Sequence, residues 1–261
     1  MLKALLWDVD GTLAETERDG HRVAFNAAFE ARGLPWHWDE AHYGSLLRIT
    51  GGRERILYDM NRREASPTSA GDREALARAL HERKNELYGE VVRSGAIPLR
   101  EGVATLMQEC RARNVRMAIA TTTSRANVDA LLRVHLGDRW SEWFAAVVCG
   151  EDVQRKKPDP EVYLRALEVL DVQSYEAVAI EDSPNGAAAA LALDIPVLVT
   201  RSAYFADSAV QGALAVGPGL DRRNDWRPAL PQGAANDESV SLEDVEYWLQ
   251  AVDAEAPVSA T

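Results

Sequence analysis

The chain opens on a short apolar run, LLWDVDGTLAETE from Leu5 to Glu17. It is too short for a core helix and reads as a buried strand. Two acids separated by one valine close it. In a strand, residues two apart point the same way, so Asp8 and Asp10 are expected on one face near the carboxyl end. Gly11 breaks the run. Taken alone, the stretch also fits a strand followed by a solvated Asp-Gly turn.

From about residue 17 to 93 the pattern is helical. RDGHRVAFNAAFEARG sets Val23, Ala24, Ala27, Ala28 and Ala31 on a stripe flanked by Phe25 and Phe29, and ends at Gly33. GRERILYDMNRR and DREALARALHERKNELYGEVVRSG predict two more helices. The second is long and amphipathic along Leu76, Leu80, Leu87 and Val91, and the SPTSAGD loop at 66–72 precedes it. No strand pattern interrupts this block, which reads as an all-helical insertion.

Beyond about residue 97, helical and strand patterns alternate. GVATLMQECRARN, SRANVDALLRVHL (with Ser124 as N-cap), DPEVYLRALEVLD and SPNGAAAALALD predict helices; VRMAIAT, AAVVCG, EAVAIED and IPVLVT predict strands. Continuous apolar strands alternating with helices imply an α/β fold with a parallel sheet covered on both faces. The expected division is a core of residues 1–16 and 94–225, a helical cap of 17–93, and an extension of 226–261. Residues 218–240, rich in Pro, Gly, Asn and Asp, read as a loose connection. A helix is expected near 241–252, then a disordered end.

Composition narrows the function classes. A hydrophobic content of 46% with 27% charged residues is ordinary for a globular chain. No run approaches a membrane span, and the N-terminus lacks the pattern of a signal peptide. Only Cys110 and Cys149 are present, which argues for a reducing compartment and a cytoplasmic location. A net charge of −12 offers no basic field for nucleic acid. An anionic small molecule then needs local Lys, Arg, backbone N–H groups or a metal ion. No interaction with membrane or nucleic acid is expected, and the protein is expected to be a monomer.

In open parallel sheets, ligands bind beyond the carboxyl ends of the strands. Here those ends carry Asp8 and Asp10, then Thr121, Thr122 and Thr123, then Glu181 and Asp182, with Lys156 and Lys157 in the RKKPDPE segment. Clustered carboxylates call for a cation, and hard oxygen ligands suit Mg²⁺. A carboxylate next to a metal and a lysine can attack a phosphoryl group, while hydroxyls and helix-start N–H groups hold its oxygens. Metal and lysine together offset the charge of the transferring group. The set suits phosphoryl transfer through an aspartyl-phosphate.

DVDGT, IATT, KKPDP and IEDSPNG, in this order, resemble the four motifs of the haloacid dehalogenase superfamily of phosphatases. The resemblance covers the whole sheet domain and implies that superfamily's Rossmann-like core with an all-helical cap inserted after the first strand. It implies that Asp8 is the nucleophile and that Asp10 protonates the leaving oxygen and then activates water. Thr121 would bind the phosphoryl group and Lys157 would offset its charge. Mg²⁺ would be held by the Asp8 carboxylate, the Asp10 backbone carbonyl and Asp182, with Glu181 a further ligand or a supporting residue. Lys156 reads as a solvated neighbour, because the motif's lysine directly precedes the proline.

The insertion adds its own chemistry. TGGRER, Thr50 to Arg55, sets two glycines before two arginines at a helix start, suited to a second anion. HERK places His81 and Lys84 three apart on one helix face, while Glu17, His21 and Tyr43 border the cleft. AETE, GHRVAFNAAF, LLRITGGRERI, HERK and ATTTSRANV resemble the bacterial CbbY group of the superfamily, over residues 1 to about 200. That resemblance implies hydrolysis of xylulose 1,5-bisphosphate to xylulose 5-phosphate, removing an inhibitor of rubisco. It implies substrate contacts from Asp10, Glu17, Tyr43, Gly51, Gly52, Arg53, Glu54, Arg55, His81, Lys84, Thr121, Thr122, Thr123, Asn127 and Lys157. The tail beyond residue 205 and a longer loop before HERK depart from the group. Alternatives are a β-phosphoglucomutase-type mutase on the same scaffold, a broad sugar-phosphate or phosphoglycolate phosphatase, and a non-catalytic sugar-phosphate sensor. Intact Asp8 and Asp10 weigh against the sensor.

Overall fold

The computed structural model describes residues 1–63, 66–231 and 239–255, the last four of these by backbone alone. Six parallel strands form one sheet: β1 (Ala4–Trp7), β2 (Arg116–Ala120), β3 (Ala146–Val148), β4 (Ala177–Glu181), β5 (Val197–Thr200) and β6 (Ala215–Gly217). Their spatial order is β3-β2-β1-β4-β5-β6. The chain builds outward from β1 on one side, then returns to lay β4 against β1 on the other. The point where direction reverses, between β1 and β4, is where open sheets bind ligands. Asp8 follows β1 there and Asp182 follows β4.

The two faces of the sheet differ in side-chain size, as alternation along each strand requires. One face presents Leu5, Trp7, Met117, Ile119, Val178, Ile180 and Leu198 to α5 (Val103–Ala112), α6 (Arg125–Leu136) and α9 (Leu242–Glu255). The other presents Ala4, Leu6, Ala118, Ala120, Ala177 and Ala179 to α7 (Glu161–Leu170) and α8 (Pro184–Leu191). Small strand residues meet the Ala187, Ala189 and Ala190 side of α8, so backbones approach closely. Strands buried on both faces explain the continuous apolar runs.

Between β1 and α5 lie a π-helical turn, Glu17–His21, and four helices: α1 (Arg22–Ala31), α2 (Glu40–Leu46), α3 (Gly52–Met60) and α4 (Ala70–Arg93). They hold an apolar cluster of their own, including Phe25, Phe29, Trp36, Trp38, Tyr43, Ile56, Met60, Ala77 and Leu80. Most of the aromatic pairs meet edge-on or tilted, as Phe29 does against Trp38 at 4.9 Å between ring centres, while Phe25 and Phe29 stack. The carboxyl half of α4 reaches the main core through Tyr88 and Val92.

Several sequence expectations need correction. The inward face of α1 is Ala24, Phe25, Ala28 and Phe29, with Val23 exposed. In α4 the buried line is Ala77, Leu80, Lys84, Tyr88 and Val92, while Leu76, Leu87 and Val91 are only partly buried. Counting apolar residues turned the stripe by about one position, because Lys84 faces inward toward a site. Helix α2 and strand β6 carried too few periodic positions to be predicted. Residues 218–231 are not loose. Arg227 and Val216 exchange backbone hydrogen bonds at 2.9 Å, and buried Trp226 packs on Trp248 of α9 at 4.8 Å. The expected disordered end at 256–261 lies outside the described residues.

Candidate active site

Asp8 sits just past β1, nearly fully buried. Lys157 Nζ donates to Asp8 Oδ1 at 2.7 Å, to Glu181 Oε1 at 2.6 Å and to the Ala120 carbonyl at 2.8 Å. One ammonium thus ties together the ends of β1, β2 and β4. Burial works against its charge, yet Asp8 and Glu181 outweigh burial and hold its proton more tightly than usual. Glu181, fully buried, also accepts Tyr163 Oη at 2.6 Å. The Thr12 hydroxyl donates to the other Asp8 oxygen at 3.2 Å, and Ser202 donates to Asp182 Oδ2 at 2.6 Å.

Asp8, Glu181 and Asp182 can bring carboxylate oxygens within 4.8 Å of one another. Three buried acids face one lysine, and the imbalance shows in the protonation of Asp8 and Asp182. Burial pushes the Asp8 carboxyl up to about 7 despite Lys157. Burial, then Asp8 and Glu181, push Asp182 well above the carboxylate range. Such a cluster fits a hard divalent cation, which removes the repulsion. Gly11 makes the packing possible. Its φ is +87°, and a Cβ there would come within 2.0 Å of Asp182 Oδ2.

Asp10 points toward the helical insertion. Its Oδ1 accepts Thr16 Oγ1 at 2.6 Å and lies 3.0 Å from His21 Nε2; Lys84 Nζ lies 2.7 Å from His21 Nδ1. An ammonium donating to Nδ1 leaves the ring proton on Nε2, so His21 donates to Asp10. Burial raises the Asp10 carboxyl, but His21 and Thr16 outweigh it and hold the group below its ordinary value. Held this way, Asp10 is a carboxylate. Burial pushes Lys84 down to about 8 against the attraction of Asp10 and Glu17.

Glu17, from the π-helical turn, pairs with Arg55 Nη1 at 3.1 Å and accepts Tyr43 Oη. Arg55 also donates to Tyr43 Oη at 3.1 Å and to the Ile49 carbonyl at 2.9 Å. This knot separates two adjoining cavities. One, of about 160 Å³, is lined by His21, Gly51, Gly52, His81, Lys84, Thr123, Ser124, Asn127, Gly150, Glu151 and Lys156. The other, of about 250 Å³, holds Asp8, Thr121, Lys157 and Asp182 with Leu47, Arg48, Thr50, Asn185 and Phe205. Asp10, Glu17, Arg55 and Thr122 line both.

Known proteins fit this geometry. The sequence profile of haloacid dehalogenase-like hydrolases matches residues 2–194. The chain belongs to the haloacid dehalogenase-like hydrolase family. Within it, the chain is 42% identical over 235 residues to the plasmid-borne protein CbbY of Cupriavidus necator, covering 90% of this chain and 92% of that one. It is 44% identical over 203 residues to protein CbbY of Rhodobacter capsulatus, covering 78% and 87%. A crystal structure of CbbY from Rhodobacter sphaeroides in complex with phosphate superposes with a TM-score of 0.76 at 40% identity, covering 82% of this chain and 92% of that one. A mutant of that protein in complex with xylulose-(1,5)bisphosphate gives 0.75 with the same identity and coverage. This CbbY-group member is therefore an enzyme, a hydrolase of the phosphatase class.

In this haloacid dehalogenase-like hydrolase, most of the sequence-selected residues gather around the two cavities. Asp8, Asp10, Thr121, Lys157 and Asp182 lie at the sheet end, and Glu17, Gly51, Gly52, Arg55, His81, Lys84, Thr122, Thr123 and Asn127 at the walls. Tyr43 is fully buried behind the wall and holds Glu17 and Arg55. Arg53 lines neither cavity and pairs with Glu74 at 3.2 Å and Glu54 at 3.6 Å. Glu54 lines neither cavity and faces Lys156 at 3.5 Å. Lys156, read as a solvated neighbour, is about a third exposed and also lines the smaller cavity. Thr12, Thr16 and Ser202 were missed. Thr12 and Thr16 follow the acids at short spacing and carried a weak signal; Ser202 reaches Asp182 only through the fold.

Proposed function

We propose that the protein is a Mg²⁺-dependent sugar-phosphate phosphatase acting through an aspartyl-phosphate on Asp8, with xylulose 1,5-bisphosphate as substrate and xylulose 5-phosphate and phosphate as products. The observation that carries the reading is the pair of cavities meeting at Asp10. One contains the nucleophile and acid cluster; the other is lined by basic groups from the insertion and the sheet. A substrate with two phosphates fits this division, and the xylulose-(1,5)bisphosphate bound to the CbbY mutant supports it.

In the first step an Asp8 oxygen attacks phosphorus and the bond to the leaving sugar oxygen breaks, while Asp10, protonated from solvent once bound substrate separates it from His21 and Thr16, gives that oxygen its proton. In the second, water attacks the aspartyl-phosphate, Asp10 takes its proton, and phosphate departs. Lys157 orients Asp8 and offsets phosphoryl charge, and Thr121 holds a phosphoryl oxygen. Asp8, Asp182 and the Asp10 carbonyl would hold Mg²⁺, which when bound neutralises phosphoryl charge. Glu181 supports Lys157 from behind, since its carboxylate is engaged by Lys157 and Tyr163. The helical insertion acts as a lid that excludes water.

The test is phosphate release from a panel of sugar mono- and bisphosphates with Mg²⁺ and with EDTA. Preferred release from xylulose 1,5-bisphosphate, one equivalent per sugar, is expected. Isomerisation without release would replace the phosphatase reading with a mutase.

A further inference from the structure

The basic residues of the smaller cavity are not equivalent. Arg55 is engaged by Glu17, Tyr43 and the Ile49 carbonyl. Lys84 is engaged by His21 and Asn85. His81 is held neutral at neutral pH, because burial and then Lys84 and Lys156 push it down to about 4. Lys156 differs. Among the described residues its ammonium makes no hydrogen bond, and its one ion pair is with Glu54 at 3.5 Å.

That ion pair is long and both side chains are about a third exposed, 31% and 37%. Pairs of this kind contribute little and leave the ammonium's donors available. The position is also constrained. Gly51, at φ +101°, lies so close that a Cβ there would meet Glu54 Oε2 at 2.2 Å and Lys156 Nζ at 2.8 Å. The lysine thus bridges from the sheet domain to the first turn of α3. The cavity's acids are otherwise engaged: Asp10 by Thr16 and His21, Glu17 by Arg55 and Tyr43, and Glu151 by the Arg125 backbone N–H at 3.1 Å.

We propose that Lys156 is a specificity-determining residue whose ammonium takes the second anionic group of the substrate, between the sheet domain and the α3 loop. The inference rests on the bisphosphate reading above. It shifts the main contact with that anion from Arg55 and Lys84, which hold the cavity wall, to the lysine beside the motif lysine.

The experiment compares kcat and KM on xylulose 1,5-bisphosphate and p-nitrophenyl phosphate for wild type, Lys156→Met and Lys156→Arg. Lys156→Met should lose about 10- to 100-fold in kcat/KM on the bisphosphate, mostly in KM, and less than about 3-fold on the monophosphate. Lys156→Arg should restore most of the loss. Equal losses on both substrates, or no loss on either, overturn the assignment while the substrate reading stands. A wild type that does not prefer the bisphosphate overturns the substrate reading itself, and this inference with it.

Discussion

Asp8 and Asp10 are separated by a single residue, Val9, yet live in opposite electrostatic surroundings. Asp8 shares a buried cluster of acids with one lysine, while Asp10 has two donors and no competing acid bound to it. Environment, not residue type, separates their roles. Asp8→Asn keeps an acceptor for Lys157 and nearly the same volume but has no nucleophilic oxygen. Phosphate release should fall by at least about 1,000-fold with an unchanged circular dichroism spectrum. Near-normal release would rule out the covalent route. Arg55 and Glu17 are both largely buried, at 11% and 13% side-chain exposure, so removing one strands the other. Arg55→Met or Glu17→Gln should each cost about 3–5 kcal/mol, and the double variant less than their sum, in urea unfolding. Additive losses would show that the pair does not couple.

Helix α4 carries the clearest conflict between pattern and structure. Its buried line runs through Lys84 and Tyr88, so the helix stabilises the insertion at one end and delivers a cation to Asp10's partner at the other. Burying that cation has a pH signature. The folded form releases the Lys84 proton near pH 8, whereas the unfolded chain keeps it to the ordinary 10.5. Between those values the unfolded state binds more protons, so this group's contribution to stability rises with pH, and its full penalty applies below 8. Lys84→Met lacks that term. Melting curves from pH 7.5 to 9.5 should show the Tm difference moving against the variant as pH rises. A constant difference would mean Lys84 does not titrate in that window.

The sheet, the insertion and the C-terminal helix form one molecule around a single acid-lined end. A cation bound there stabilises the folded state by linkage, by about 2.7 kcal/mol at a concentration 100-fold above Kd. Mg²⁺ should therefore raise Tm by several degrees, EDTA should abolish turnover, and Asp182→Ala should remove the Tm shift. Full activity in chelator would discard the metal assignment. At the opposite flank, Val240, Leu242, Val245, Trp248 and Leu249 are buried in the main core. Their transfer is worth roughly 8–15 kcal/mol as an upper bound, comparable to a whole domain's stability. A chain ending at Pro231 should lose its cooperative thermal transition. Retention of that transition would show α9 to be dispensable.

The parallel sheet, most of its helices and the motif acids were legible in the sequence, because strand period, helix period and the chemistry of clustered carboxylates are local signals. Asp8, Thr121, Lys157 and Asp182 could be named from four short motifs: Asp8, Thr121 and Asp182 directly follow strands whose direction the α/β alternation dictates, and Lys157 sits in the loop after β3. What the chain does not display is which residues meet across distance. β6 is three residues long, and Trp226 looked like part of a loop until the Gly217 and Trp248 surfaces enclosed it. Arg55 reads as a ligand for an anion, and only the fold shows that it also pairs with Glu17, 38 positions earlier. Lys156 read as a bystander, yet the α3 loop folds onto it and leaves its ammonium without a hydrogen bond among the described residues. Pairing of this kind depends on long-range packing, and no local period encodes it.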